Sequence, residues 1–211
     1  MLDFNAKKLF EKGIEYFNDK KFILAQDYFT KALELSPDRI SILENLAVVY
    51  YLNDNYFEAE KILNRIIKLD HSSLKIFNLM FKVLKKQGKI KELKIYINKE
   101  LDKKRIDEKY KIVNDFLYPD FFESEEEADL IRINFEKSIN DLEKINKIEL
   151  KVGKDSMDPP IFNLSYDYNE NLGVNRKIVN LYRKIYPELN KTFINKKKNS
   201  KIRIGFLSEF F

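Results

Sequence analysis

Two consecutive stretches of 34 residues, 6–39 and 40–73, repeat one pattern of large and small apolar side chains. A chain with such a period folds as stacked copies of one small unit, each covering its neighbour's apolar face. With Ala6 as position 1, the first stretch has Leu9, Gly13, Tyr16, Ala25, Phe29, Ala32 and Pro37 at positions 4, 8, 11, 20, 24, 27 and 32. In the second, Leu43, Leu46, Ala47, Tyr50, Ala59, Leu63 and Ile66 fill the same key sites, and Asn53-Asp54-Asn55 is the turn. Spacings of three and four predict two helices per stretch. Small residues stand where the helices must approach closely, and Pro37 follows the second helix, which it cannot continue. His71 takes the place of Pro37 and reads as an exposed helix-end residue.

A third, weaker unit covers residues 74–101. Phe77, Met80, Phe81 and Leu84 mark its first helix, Gln87-Gly88-Lys89 its turn, Leu93 the small-residue position and Glu100 a core position. This pattern resembles the tetratricopeptide repeat, which implies a helical solenoid that binds peptides along its concave face. Position 6, which faces that groove, is Glu11, Asn45 and Leu79 in successive units. Of these, Asn45 is the candidate groove residue, because an amide can both donate to and accept from an extended backbone. The alternative is that Asn45 is a plain exposed polar residue.

Composition removes many other functions. The 211 residues include no cysteine and one histidine, so disulfides, Cys-ligated zinc, thiol catalysis and multi-histidine metal sites are excluded. No glycine-rich phosphate loop is present. The net charge of +5 comes from 39 basic and 34 acidic residues that interleave, leaving Lys196–Lys198 with Lys201 as the only tight basic cluster. Nucleic-acid binding needs concentrated positive charge and is not expected. Without an apolar leader or a long apolar run, a cytoplasmic protein with no membrane segment is expected. No catalytic residue, metal or cofactor site is assigned.

Beyond the repeats, Asp102–Tyr118 reads as a closing helix interrupted by Pro119, with Phe121-Phe122 as an anchor. Ser124 and Glu127 form a capping box: the serine caps the Glu127 amide and the glutamate reaches back. Ala128, Ile131, Phe135, Ile139, Leu142 and Ile145 make one apolar helix face, and Val174, Ile178, Leu181 and Ile185 another that ends at Pro187. Between them, Pro159-Pro160 precede an extended, buried segment, Ile161–Tyr166. Lys201–Ser208 alternates as a β-strand.

The order of these elements is informative. Repeats are followed by an acidic-capped helix, Pro-Pro-Ile-Phe-Asn-Leu-Ser-Tyr (159–166), Leu-Tyr-Arg-Lys-Ile-Tyr-Pro (181–187) and Lys-Ile-Arg-Ile-Gly-Phe-Leu-Ser (201–208). The chain resembles the SPINDLY / O-linked N-acetylglucosamine transferase family. That resemblance implies a GT-B enzyme transferring a sugar from a nucleotide-sugar to Ser or Thr of proteins recruited by the repeats. It also implies that residues 201–211 are the first strand of a catalytic domain the chain does not contain, so that nucleotide-sugar binding needs the missing part. The expected fold is mostly α: tetratricopeptide repeats over 1–101 (6–39, 40–73 and a degenerate 74–101), a helical linker region over 102–200, and one terminal β-strand. Two functions remain open: the acceptor-recruiting part of such a transferase, and a freestanding adaptor for a peptide or protein partner.

Overall fold

The computed structural model describes residues 4–69, 71–119, 121–144, 164 and 170–190. Nine α-helices occur among them: α1 (Phe4–Asn18), α2 (Phe22–Leu35), α3 (Ile40–Leu52), α4 (Tyr56–Lys68), α5 (Leu74–Lys86), α6 (Ile90–Asp102), α7 (Lys109–Phe116), α8 (Glu125–Lys144) and α9 (Leu172–Ile185). A 3₁₀ turn, Pro187–Asn190, follows α9. No strand occurs among the described residues, and the expected strand at 201–208 lies outside them.

The first six helices form three hairpins whose joints repeat. After α1, α3 and α5 the chain turns through a left-handed residue, Lys20, Asp54 and Gly88, with φ of 60°, 57° and 70°. Each lies 34 residues after the last. At each joint the next amide donates back across the helix end: Lys21 N–H to Tyr16 O at 2.9 Å, Asn55 to Tyr50 at 2.9 Å, and Lys89 to Leu84 at 3.0 Å. These are Schellman closures, which satisfy carbonyls that a helix end otherwise leaves open. Gly88 meets the left-handed requirement at no steric cost, whereas Lys20 and Asp54 accept some strain.

Packing follows the same period. Ala25, Ala59 and Leu93 are fully buried, as are Phe29, Leu63 and Ile97 four residues on. The ring pairs Phe17–Phe22 and Tyr51–Tyr56, 34 residues apart, both hold centroids 5.7 Å apart. Asn53 donates to Gln26 Oε1 and Gln87 to Glu60 Oε2, both at 2.9 Å, the same inter-repeat bond one unit later. Glu100, expected at a core position, is 3% exposed and stands 3.8 Å from Arg105.

Between units, positions 3, 7 and 10 of one first helix meet the preceding hairpin. These are Ile42, Leu46 and Val49 in α3, and Ile76, Met80 and Val83 in α5, all buried. The register carries on into α7, where Tyr110 and Leu117 stand 34 residues after Ile76 and Val83 and pack on the α5–α6 core. Tyr110 meets the Phe77 ring edge-on at 4.8 Å. In α1 the same positions are Lys8, Lys12 and Glu15, all exposed. The first hairpin thus presents a polar face where later ones present apolar ones, as a capping unit must.

The segment read as a closing helix over Asp102–Tyr118 is divided. Asp102 ends α6, Lys104 takes φ 54°, and α7 starts only at Lys109. A second Schellman-type closure, Arg105 N–H to Glu100 O at 3.0 Å, explains the break.

The other side of α7 starts a second core. Ile112 and Phe116 join Phe135, Ile139 and Leu142 of α8 and Val174, Ile178, Leu181 and Ile185 of α9. Within Ile161–Tyr166 only Leu164 is described. It is fully buried in this core but sits in a 3₁₀ turn, not extended backbone. Ser124 Oγ accepts the Glu127 amide at 3.2 Å as expected. The Glu127 carboxylate reaches one residue further than a capping box requires, accepting from Glu123 N–H at 2.6 Å, and also pairs with Lys91 at 2.5 Å.

The apolar face of α8 hides one charge. Arg132 is 6% exposed. It donates to Glu136 Oε1 and Asn171 Oδ1, each at 2.6 Å, and to Glu170 O at 3.1 Å. Asn171 in turn donates to Leu164 O at 2.8 Å. The guanidinium therefore ties α8 to the start of α9. Nearby, burial pushes the Lys94 ammonium below its ordinary range, and the charge of Asp115 opposes that shift. Burial likewise pushes the Asp115 carboxyl up, against the charge of Lys94.

Candidate protein-interaction surface

In each hairpin the first helix buries one side against its partner and another against the preceding unit, leaving a third side uncovered. In α3 that side carries Ser41, Glu44, Asn45, Val48 and Leu52, and in α5 Lys75, Asn78, Leu79, Lys82 and Lys86. Since α3 also packs directly on α5, the two rows form one surface. Lys75 Nζ reaches across to Glu44 Oε2 at 3.1 Å, and His71 Nε2 stands 3.6 Å from the other Glu44 oxygen. Tyr110 of α7 donates to Asn78 Oδ1 at 3.1 Å and extends the surface by one helix.

Asn45 lies on this surface but is half-buried, not exposed as its polarity suggests. Its Nδ2 donates to the Ser41 carbonyl one turn back, at 2.7 Å. This local bond holds the side chain in place and leaves its Oδ1 and second N–H for an incoming chain. Glu11, at the matching site of α1, is exposed and pairs with Lys7 at 3.8 Å. Leu79, at the matching site of α5, packs its side chain on the core. The three position-6 residues therefore do not form a polar ladder. His71 is half-exposed near Glu44, and among the described residues no group of three or more His, Cys, Asp or Glu could hold a metal. Nor is any helix among them long and apolar enough to cross a membrane.

The lysine row of α5 was not singled out by sequence reasoning. Lys75, Lys82 and Lys86 follow at intervals of seven and four, which places them within about 40° of one another on a helix turning 100° per residue. The helix has no acidic residue. That spacing was readable, but which helix side would remain uncovered was not.

Residues 6–80 match the family model described as tetratricopeptide repeat. Solved structures similar to the chain include one titled "First TPR of Spaghetti (RPAP3) bound to HSP90 peptide SRMEEVD". It is 24% identical, covers 52% of this chain and 87% of that one, and superposes with a TM-score of 0.45. No curated protein shows significant similarity to the chain. The N-terminal helices of this mostly helical protein are thus tetratricopeptide repeats.

Proposed function

We propose that the chain is a protein-interaction module that takes a peptide or protein segment across the uncovered face of α3 and α5. The observation that carries this reading is Asn45, held by Ser41 with hydrogen-bonding capacity to spare, among side chains that no other helix covers. A bound extended segment would satisfy its own backbone groups there, as buried polar groups must be. The test is binding of peptides selected against the purified chain from a random display library. Asn45→Ala should weaken a selected peptide by about 1 kcal/mol, the worth of one such hydrogen bond. Selected peptides that bind wild type and Asn45→Ala equally, and do not protect α3 and α5 from hydrogen exchange, would refute it.

A finer reading makes this module the acceptor-recruiting part of a SPINDLY-like protein O-glycosyltransferase. Its support is the sequence of 159–166, 181–187 and 201–208, which repeat periodicity does not produce. Fusion of a catalytic region of that family after residue 211 should then give sugar transfer to proteins that bind the repeats. A folded fusion that transfers nothing favours the freestanding adaptor.

A further inference from the structure

We infer that the Lys82–Lys86 end of the groove selects segments with two acidic side chains two residues apart, an acidic-x-acidic pattern in extended conformation. The inference rests on the reading of this face as a peptide groove. Three observations on α5 support it. Its uncovered side is a line of lysines, Lys75, Lys82 and Lys86, with Asn78 and Leu79 between, in a helix that has no carboxylate of its own. Lys75 is already engaged by Glu44 at 3.1 Å. Lys82 and Lys86 are exposed, and no ion pair neutralises either of them, in contrast to Lys75 or to Lys89, which pairs with Glu60 at 2.6 Å.

The neighbouring helix does not supply the missing charge. At the corresponding sites α3 presents Val48 and Leu52, the latter 41% exposed. On the other side α7 presents Phe116, which is buried. Two ammonium groups therefore stand beside an apolar edge, a setting that favours an anionic partner with limited bulk between its charges. Geometry sets the spacing. Residues four apart on a helix rise about 6 Å along its axis. Side chains two apart on an extended chain point the same way and are separated by about 6.6–6.8 Å. An extended Glu-x-Glu laid along α5 thus places one carboxylate at each lysine, whereas adjacent acids would point to opposite sides.

The experiment uses the full chain and three fluorescently labelled peptides of identical scaffold carrying Glu-x-Glu, Gln-x-Gln or Lys-x-Lys. The expected order is Glu-x-Glu tightest, by roughly three- to tenfold over Gln-x-Gln, since each exposed ion pair is individually modest. Added salt should shrink that gap, because exposed charges are screened. Exchanging both lysines, Lys82→Glu with Lys86→Glu, should reverse the order in favour of Lys-x-Lys. Both are exposed, so the variant should keep the wild-type melting curve. Equal binding of Glu-x-Glu and Gln-x-Gln, or an order unmoved by the double exchange, would overturn the inference. If all three peptides then still protect α3 and α5 from hydrogen exchange, the groove reading survives that failure. If none does, and library-selected peptides do not either, the groove reading falls with it.

Discussion

Replacing Gly13 by alanine adds one methyl group at the tightest approach of α1 and α2. A Cβ built there stands 2.5 Å from Phe29 Cε1, 2.6 Å from Cδ1 and 3.2 Å from Cζ. Carbon atoms in contact sit about 3.5–4.0 Å apart, so the ring must retreat by about 1 Å. It has little room, because Phe29 is fully buried and its ring lies 5.6 Å from that of Phe10. Overpacking of this kind costs about 1–3 kcal/mol. Against it stands the better helix propensity of alanine, worth about 0.5–1 kcal/mol. The net loss is then roughly 0.5–2 kcal/mol, a fall in the urea midpoint of about 0.2–1 M for a slope near 2 kcal/mol/M. Gly173 in α9 is the control: nothing lies within 4 Å of its added Cβ, so Gly173→Ala should be neutral or slightly stabilising. In a Phe29→Leu background the Gly13→Ala penalty should largely vanish, giving a coupling of about 1 kcal/mol in the double-mutant cycle. A Gly13→Ala protein as stable as wild type, with no coupling to Phe29, would show that α1 and α2 are not packed in this register.

Three further outcomes are expected. Giving α1 the residues of α3 at its polar face (Lys8→Ile, Lys12→Leu and Glu15→Val) should produce concentration-dependent association in sedimentation velocity; a strictly monomeric variant would contradict the capping role of that face. Arg132→Leu should cost about 2 kcal/mol, since Asn171 and the Glu170 carbonyl lose a charged donor; hydrogen exchange should quicken in α9 before it does in α1–α4, and uniform quickening would count against a local strut. Burial alone would push the Glu60 carboxyl up, but hydrogen bonds from Lys89 and Gln87 outweigh it and hold its pKa below 4.5. Its stabilisation is therefore present above that value and lost as pH falls through the lower folded-state pKa. Glu60→Gln should flatten the acid limb of a stability–pH profile, and an unchanged limb would show that the Lys89 contact contributes nothing.

The repeat was legible because its determinants are local. A hairpin closes only where Gly13 or Ala47 lets helices approach and where Ala25 or Ala59 sits opposite, so the period appears in residue size alone. The α9 face, Val174, Ile178, Leu181 and Ile185, was readable for the same reason: helical spacing maps directly onto burial. Asn45 could be placed on a helix face by register, but not its half-burial, which depends on the neighbouring unit and on the Ser41 carbonyl.

What the tertiary structure alone decided are matters of which surface meets which. Lys20 and Asp54 are not residues that announce a left-handed turn, yet the close return of α2 and α4 demands one of each. The register extends into α7 through Tyr110 and Leu117, although its eight residues are too few to display a period. Arg132 looks like an interruption in the apolar face of α8 until Glu136, Glu170 and Asn171 converge on it. Lys82 and Lys86 count toward net charge in any sequence reading; only the stacking of α3, α5 and α7 leaves them side by side on an uncovered face. Size and spacing along one helix are written in the order of residues, whereas contact between helices depends on how rigid units stack, a sum over many weak interactions distant in the chain.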